Sequence, residues 1–486
     1  MANILSKNLI TYHKLIILRI MIDSITEVFE LQQKNKYALR YSTARQRINK
    51  LQALKSAIQM FEEEIYTSLQ TDLRKSRFES AVTELIFIYS EIDFAIKKLK
   101  KWMRPAYAGK SIASLFAKNR IYYEPKGVCL IISPWNYPFQ LMMSPLLSAI
   151  AAGNCAILKP SEFSPATSAI ITKIIEKAFG KDEVACFEGD QQVSETLLKL
   201  PFDHIFFTGS TAVGKVVMKA AAENLSSVTL ELGGKSPVVV DETAKIKNAA
   251  TKIAWGKLIN AGQTCIAPDH VFVHRSKLDE FITHYKSAAT AMFFKENGQS
   301  DELSYAKIIN RRHADRLMEL INDAVGKGAN VAWGGEAVLA ELTIQPTLLC
   351  NLADDSKIMG EEIFGPILPV IPYDTLEVPM DRINKKNKPL ALYIFSESKA
   401  NIKRLLTGTS SGGACINDVL IHISNPNLPF GGVNGSGVGS CHGIFGFKTF
   451  SHERAVVFQS SINMSEIIYP PYTKKGWVLK ILTKFM

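Results

Sequence analysis

Two segments of the chain place a reactive side chain beside glycine and other small residues. Cys265 lies in INAGQTCIAP at 259–268, in a loop after a predicted helix. A thiolate is a strong, soft nucleophile, and its formation needs positive potential or backbone donors nearby. Glu231 ends an apolar strand before two glycines, and a buried carboxyl group without a partner acquires the raised pKa that suits a general base. Taken singly, a loop cysteine without a role and a solvent-facing glutamate remain open alternatives.

Two further segments have the character of a phosphate or ribose site. FFTGSTAVGK at 206–215 follows an apolar strand and opens a helix, whose free N–H groups can bind a pyrophosphate. The segment matches neither GxGxxG nor a P-loop, so a purely structural turn is an alternative. LKPSEFSP at 158–165 follows another strand, where Lys159 and Glu162 could bind ribose hydroxyls. The alternative is a surface charge pair before a helix capped by Ser161 or Ser164.

The elements that must position these segments follow from hydrophobic periodicity. Residues 21–104 are predicted to be helical, with charged side chains on the outer faces. Residues 105–126 are short, polar and aromatic, which predicts a projecting hairpin. From residue 127 strands and helices alternate, which predicts a parallel sheet with helices on its faces. The alternation continues less regularly over 244–420 without a linker, so we expect one continuous body.

Composition excludes several classes of protein. The chain has 486 residues, of which 47% are hydrophobic and 21% charged, and this excludes disordered, collagen-like and coiled-coil chains. A net charge of +11 is spread along the chain, which permits anionic cofactors but does not indicate nucleic-acid binding. Seven cysteines without a CxxC pair or zinc-ligand spacing favour a reduced, cytoplasmic protein with no metal site.

Three stretches have some character of membrane or targeting segments. Residues 127–158 carry no charge, but proline and glycine interrupt them, which favours a buried core. Residues 1–20 lack a cleavage site and are interpreted as a dispensable extension or an upstream start of translation. The tail KKGWVLKILTKFM is basic and amphipathic, and dimer contact and loose membrane association are both open. The side chains that share its apolar face are Val478, Ile481, Leu482 and Phe485.

Taken together and in order, seven motifs resemble the aldehyde dehydrogenase superfamily. They are ISPWNYP, LKPSE, FTGSTAVG, ELGGKSP, NAGQTC, EEIFGP and PFGG, and the resemblance covers about residues 25–455, most closely the class 3 branch for fatty and aromatic aldehydes. It implies an α/β protein in three parts, usually a homodimer. The parts would be a Rossmann-like NAD(P)-binding domain (21–104 and 125–230), an α/β catalytic domain (231–430) and a small bridging β element with the C-terminal tail (105–124 and 431–486).

The resemblance also implies a role for each motif residue. Cys265 would be the nucleophile, Asn136 and the backbone N–H of Cys265 would hold the oxyanion, and Glu231 would activate the hydrolytic water. The residues implied in cofactor and substrate binding are Lys159 and Glu162 at the adenosine ribose, Gly209, Ser210 and Gly214 beneath the pyrophosphate, Glu362 and Phe364 at the nicotinamide end, and Tyr137 and Phe430 in an apolar substrate tunnel.

The resulting expectation is NAD- or NADP-dependent oxidation of medium- or long-chain aliphatic or aromatic aldehydes to carboxylic acids through a cysteine thioester. Because Glu162 favours free ribose hydroxyls while Lys159 can meet a 2′-phosphate, the choice between NAD and NADP stays open. An acylating or semialdehyde-specific dehydrogenase is one alternative, against which Glu231 argues. A non-catalytic structural or binding protein on the same scaffold is the other.

Overall fold

Strands rich in valine, isoleucine, leucine and phenylalanine form the buried centre, as expected for parallel sheets covered on both faces. The computed structural model describes residues 2–111, 114, 116–461 and 469–485. Side chains before residue 21, and those of residues 481, 482, 484 and 485, lie outside the description. Three residues of the predicted hairpin, 112, 113 and 115, also lie outside it.

The bounds of the elements are as follows. The α-helices are α1 (Ala2–Arg40), α2 (Ala44–Met60), α3 (Glu62–Leu73), α4 (Arg77–Ser80), α5 (Ile86–Trp102), α6 (Gln140–Ala152), α7 (Pro165–Ala178), α8 (Gln191–Leu198), α9 (Thr211–Glu223), α10 (Ile246–Leu258), α11 (Leu278–Phe293), α12 (Arg311–Gly326), α13 (Lys357–Gly360), α14 (Glu377–Asn384), α15 (Lys399–Gly408), α16 (Gly443–Thr449) and α17 (Gly476–Phe485). The strands are β1 (Ala106–Tyr107), β2 (Lys118–Pro125), β3 (Val128–Ile132), β4 (Cys155–Lys159), β5 (Val184–Cys186), β6 (His204–Gly209), β7 (Ser227–Leu232), β8 (Pro237–Val240), β9 (His270–His274), β10 (Asn330–Trp333), β11 (Ala337–Val338), β12 (Thr343–Ile344), β13 (Thr347–Cys350), β14 (Ile367–Tyr373), β15 (Ala391–Phe395), β16 (Gly413–Ile416), β17 (Gly437–Val438) and β18 (Ser451–Phe458).

The predicted helical region is present as α1–α5, with a π-helical turn at Ala81–Leu85 between α4 and α5. The expectation that its charged side chains all lie on outer faces was wrong. Several of them are buried, namely Arg47, Asp72, Lys75, Glu84 and Glu91. The periodicity could not reveal this, because the partners of these charges lie elsewhere in the chain.

A six-stranded sheet in the order β17-β7-β6-β3-β4-β5 forms the first α/β unit. Its five strands from β3 to β7 run parallel, so their C-terminal ends share one edge. Adjacent residues of β3 face opposite sides: Leu130 packs into the core beneath α1, while Ile131 packs into the larger core on the other face. Both faces are therefore covered, which confirms the predicted Rossmann-like α/β class.

A second sheet of seven strands follows in the order β10-β13-β14-β9-β8-β15-β16, parallel except for β10. The predicted hairpin is present as β1 and β2, and β18 pairs with β2 along its whole length to complete a three-stranded sheet. The short β17 pairs with β7 in the first sheet. Among the described helices, none combines the length and the apolar character needed to cross a membrane.

Candidate active site

The parallel strands of the six-stranded sheet deliver the motif residues to one edge. Lys159 is the last residue of β4, Gly209 the last of β6, and Glu231 the penultimate residue of β7. Asn136 follows β3, the strand between β4 and β6. Because ligands of open α/β sheets bind beyond the carboxyl ends of the strands, this edge is where a site is expected.

An apolar cavity of about 220 Å³ lies against this edge. Its walls contain Cys265, Glu231, Tyr137 and Phe430, so the structure brings four of the predicted residues together. Most of the remaining wall is apolar, including Val82, Phe87, Leu141, Pro145, Phe206, Trp255, Ile259, Leu420, Ile421 and Ile423. The cavity thus combines a thiol and a carboxyl group with a hydrocarbon-like surface.

The loop that carries Cys265 has an unusual backbone. Asn260 and Ala261 both have φ near +51°, and Gly262 follows with φ of +76°. A side chain at Gly262 would have its Cβ 2.3 Å from the carbonyl oxygen of Gly365, so glycine permits this close approach. Burial, together with the nearby carboxyl groups of Glu362 and Glu231, raises the pKa of the Cys265 thiol to about 12, although its own backbone N–H opposes the shift.

Glu231 is buried rather than solvent-facing, which removes that alternative. Its side chain is 5% exposed, and neither carboxyl oxygen has a hydrogen-bond partner that meets normal geometry within the described chain. Burial raises its pKa well above the usual range, and the neighbouring Cys441 thiol offsets this only in part. A carboxyl group in this state can exchange a proton with a water in the cavity.

The side-chain amide of Asn136 is bound to the cysteine loop. Its Nδ2 donates to the carbonyl of Gln263 at 3.0 Å, two residues before Cys265. An amide has two N–H groups, so this bond leaves the second one available. The neighbouring Tyr137 hydroxyl lies 2.7 Å from Thr264 Oγ1, which ties the same two loops together again.

The predicted pyrophosphate segment begins α9. Ser210 is the N-cap of this helix, and its hydroxyl accepts from the backbone N–H of Val213 at 3.3 Å. The predicted ribose residues contact each other, because Lys159 Nζ lies 2.8 Å from Glu162 Oε2. Lys159 is only 2% exposed in its side chain, so the alternative of a surface charge pair was wrong for the lysine. A helix N-terminus and a buried ammonium group along one sheet edge fit an anionic dinucleotide.

Glu362 and Phe364, which follow α13, pack against the ELGGKSP and ISPWNYP motifs. A Cβ at Gly233 would lie 1.9 Å from Glu362 Oε2, so the carboxyl group rests directly on that glycine. Burial raises the pKa of Glu362 to about 8. The Phe364 ring meets Trp135 edge to face, with the ring centroids 5.4 Å apart. The EEIFGP and ISPWNYP motifs are therefore in contact.

Sequence reasoning missed the residues that hold these loops. Lys235 Nζ donates to Asp269 and to the carbonyls of Ile358 and Glu361, while Asp269 accepts from the backbone N–H of Ile363. Burial alone would raise the Asp269 pKa, but Lys235 and His270 hold it below its usual range. Lys235 belongs to the ELGGKSP motif. The motif indicated that this residue is important, but it did not identify Asp269 as its partner.

A Rossmann-like sheet whose edge meets a cavity with a thiol and a buried carboxyl group defines a dinucleotide-dependent enzyme with cysteine chemistry. The sequence profile of the Aldehyde dehydrogenase family matches residues 22–456. The chain belongs to this family and is an oxidoreductase that acts on aldehydes.

Named relatives agree with this assignment and include the class 3 branch. The chain is 44% identical to 4,4'-diaponeurosporen-aldehyde dehydrogenase of Staphylococcus aureus, over 90% of this chain and 94% of that one. It is 42% identical to mouse aldehyde dehydrogenase family 3 member A2, over 90% of each. The solved substrate-bound state of Staphylococcus aureus AldH superposes with a TM-score of 0.90 at 42% identity, over 94% of this chain and 99% of that one.

The family's reaction uses a nicotinamide nucleotide, and one more distant solved structure that matches this chain is a complex with NADP. The residues of this chain fit such a group, because the free N-terminus of α9 and the buried Lys159 lie along the same sheet edge.

Proposed function

We propose that this chain oxidises apolar aldehydes, with medium or long aliphatic chains or aromatic rings, to carboxylic acids through a thioester on Cys265. The observation that carries the proposal is the shared cavity, in which Cys265 and Glu231 face an otherwise mostly apolar wall. An aldehyde carbon held at the sulfur would leave the substrate's hydrocarbon against that wall.

In the first half of the reaction, the Cys265 sulfur attacks the aldehyde carbon and forms a thiohemiacetal. The negative charge that develops on oxygen is held by the free N–H of the Asn136 amide and by the backbone N–H of Cys265. Preorganised donors of this kind contribute about 3–4 kcal/mol each to stabilising the transition state. Because burial raises the pKa of Cys265, the thiol must lose its proton to a group in the cavity before or during attack.

When bound, the nicotinamide nucleotide supplies the hydride acceptor and a positive charge. Its pyrophosphate would lie on Gly209, Ser210 and Gly214 at the start of α9, and Glu362 and Phe364 would hold its nicotinamide end.

In the second half of the reaction, Glu231 removes a proton from water, and the resulting hydroxide attacks the thioester carbon. The carbon–sulfur bond breaks, the carboxylic acid leaves, and the sulfur is restored. A buried carboxyl group with raised pKa suits this role, because it becomes a stronger base once ionised.

The substrate class is supported by the wall of the cavity and by the relatives. Tyr137 and Phe430 supply aromatic surface, and aliphatic side chains supply most of the rest. The Staphylococcus aureus relative is named for 4,4'-diaponeurosporen-aldehyde, and the mouse relative is named as a member of family 3.

The choice between NAD and NADP is proposed to depend on Lys159 and Glu162. Their ion pair gives one cation and one anion at the adenosine end, so both nucleotides can bind and NAD is favoured. Glu162→Gln should lower the KM for NADP relative to that for NAD. An unchanged ratio of the two KM values would remove Glu162 from the selection.

We also propose a cytoplasmic homodimer with the three-part division 21–104 with 125–230, 231–430, and 105–124 with 431–486. Exposed apolar residues on β18, Val457 and Phe458, are consistent with a dimer surface. In α17, Val478 is buried, while Ile481, Leu482 and Phe485 of the predicted apolar face lie outside the described side chains. Light scattering tests the dimer, and co-sedimentation with anionic vesicles tests loose membrane contact by the tail.

The deciding experiment measures reduced nicotinamide formed by the purified chain from a panel of aldehydes, with NAD and with NADP. Turnover with apolar aldehydes, and none in Cys265→Ala with nucleotide binding retained, is the expected result. Turnover retained in Cys265→Ala would exclude the thioester route. Acyl transfer to an added thiol in place of acid release would instead identify an acylating dehydrogenase.

A further inference from the structure

The segment that connects β3 to α6 carries Asn136 and is held at its middle and at its C-terminal end by one buried ion pair. Lys75 Nζ donates to the carbonyl of Asn136 at 2.9 Å and lies 2.6 Å from Glu84 Oε1. The other carboxylate oxygen, Glu84 Oε2, accepts from the backbone N–H groups of Phe139 at 3.0 Å and Gln140 at 3.1 Å. Neither side chain of the pair has any solvent exposure.

Glu84 supplies what the start of α6 lacks locally. The residue at its N-cap is Phe139, which cannot cap through its side chain, and no side-chain cap is present. The first N–H groups of a helix need an acceptor and carry partial positive charge. The carboxylate of Glu84 accepts from two backbone N–H groups at this end. It thereby fixes the direction in which the preceding loop, which carries Asn136, enters α6.

The same helical segment also contacts the cysteine loop and the cavity. Glu84 lies in the π-helical turn, and its neighbours Val82 and Thr83 line the cavity. Glu79 accepts from the backbone N–H of Asn260 at 2.9 Å, and Asn260 Nδ2 donates to the carbonyl of Asn136 at 2.8 Å. The loop that carries Asn136 and the loop that carries Cys265 are therefore both bound to this helical segment, which holds them in a fixed relative position.

Burying an ion pair costs desolvation free energy that a hydrophobic pair of similar size would avoid. The Lys75–Glu84 pair makes three further bonds, all to the backbone of residues 136–140. Lys75 Nζ also lies 3.8 Å from the centre of the Tyr137 ring, which adds a cation–π contact to the same loop. All of these contacts act on the segment that carries Asn136.

We propose that Lys75 and Glu84 are positioning residues, which hold the side-chain amide of Asn136 where it stabilises the oxyanion of the Cys265 adduct. This rests on the proposed function, specifically on the oxyanion role of Asn136. Neither residue of the pair lines the cavity, and the pair acts through the backbone of residues 136–140.

The test is a double-mutant cycle on kcat/KM for one apolar aldehyde at saturating nucleotide. Asn136→Ala is expected to lower kcat/KM by about 10²–10³-fold. The paired change Lys75→Met with Glu84→Gln leaves no unpaired buried charge, and we expect it to lower kcat/KM by about 10–100-fold, a fraction of the full oxyanion contribution. In the Asn136→Ala background the paired change should add no more than about twofold, because the amide it positions is gone.

A general loss of folding would act differently from loss of positioning. The matched control is Arg47→Met, because Arg47 is also buried and bonds the carbonyls of Ala151 and Ala152 at the other end of α6. That helix has 13 residues, which is about 20 Å. The control should lower the melting temperature without changing kcat/KM, whereas the paired change should lower kcat and leave the nucleotide Kd unchanged.

Each outcome separates the two proposals. If the paired change lowers kcat/KM by the same factor in the Asn136→Ala background as in the parent chain, the positioning role is overturned and the oxyanion role is left intact. No effect of Asn136→Ala by itself overturns the oxyanion role. If the paired variant does not fold, Glu84→Gln alone, which keeps the size and one acceptor oxygen, is put through the same cycle. An unchanged kcat/KM in that variant would contradict the proposal.

Discussion

At the scale of single residues, Cys265 and Glu231 share a property that neither motif reveals. Burial raises the pKa of the thiol to about 12 and raises that of the carboxyl group well above its usual range. Burial therefore favours the protonated form of both groups in the free protein. Protons must leave them during the reaction, which makes the pH dependence of each step informative.

The first prediction concerns alkylation of Cys265 by iodoacetamide in the nucleotide-free protein. Only the thiolate reacts, so the rate should rise about tenfold per pH unit from neutral pH upward. A pKa near 12 means that no plateau appears below pH 10. The site of labelling is identified by peptide mass, with Cys265→Ala as the control. A plateau between pH 7 and 9 would show a pre-ionised thiol instead.

The second prediction concerns Glu231→Gln, which removes the base but keeps the shape of the side chain. Hydrolysis of the thioester should slow while its formation continues, so stopped-flow absorbance should record a burst of reduced nicotinamide near one per active site. Since the carboxyl group must be ionised to act and burial raises its pKa, steady-state turnover of the unmodified chain should rise with pH. A burst-free rate near that of the parent would exclude Glu231 as the base.

At the scale of elements, two helices at the core obtain their N-terminal acceptors from distant parts of the chain. The N–H groups at the start of α6 bond to Glu84, and those at the start of α7 bond to Asp72. Ser164, one of the two N-caps predicted for α7, is at that position but makes no capping bond with its side chain. The start of α7 was foreseeable from sequence, whereas the acceptors at both helix starts were not.

The third prediction concerns Gly262→Ala in the cysteine loop. The φ of +76° and the 2.3 Å approach of the Gly365 carbonyl leave no space for a methyl group. Strain of this kind costs about 1–3 kcal/mol in unfolding free energy, and the shifted loop should also reduce kcat/KM. Chemical denaturation and steady-state assays measure both.

The matched control is Gly326→Ala at the end of α12. No atom lies within 4 Å of a Cβ there, and the backbone is not left-handed. Alanine at such a position should stabilise the chain by about 0.4–1 kcal/mol without affecting activity. Equal effects of the two substitutions would argue against the steric account of Gly262.

At the scale of the whole molecule, the cavity exists because distant parts of the chain meet. Glu231 comes from the six-stranded sheet, Cys265 from the segment that leads into β9 of the second sheet, and Phe87 from the N-terminal helices. The apolar side chains from these parts together form a surface that none of them has alone.

The fourth prediction follows from this surface. For linear aldehydes, kcat/KM should rise with each added methylene by about fourfold, which corresponds to about 0.8 kcal/mol of buried CH₂. The rise should level off once the cavity is filled. Hydroxylated aldehydes of equal length are the control and should gain little. A flat dependence on chain length would contradict the apolar substrate class.

Much of this architecture was accessible from the sequence because it depends on local interactions. Uninterrupted aliphatic runs such as Val128–Ile132 predict buried strands, and the alternation with helices predicts the parallel sheet. The order of the motifs identified the family, and the family profile confirmed it over residues 22–456. The resemblance also predicted that Cys265 and Glu231 meet, and the structure brings both to one cavity.

Only the tertiary structure decided which charges are buried and what they hold. Lys75 and Glu84 fall in the stretch predicted to be helical with its charges outward, yet both are enclosed because the loop after β3 and the start of α6 pack over them. The raised pKa of Glu231 likewise depends on the removal of water by segments far away in the chain. The amino-acid sequence by itself determines the types and the order of residues, which are local properties. Desolvation of a group depends on everything that surrounds that group once the chain has folded.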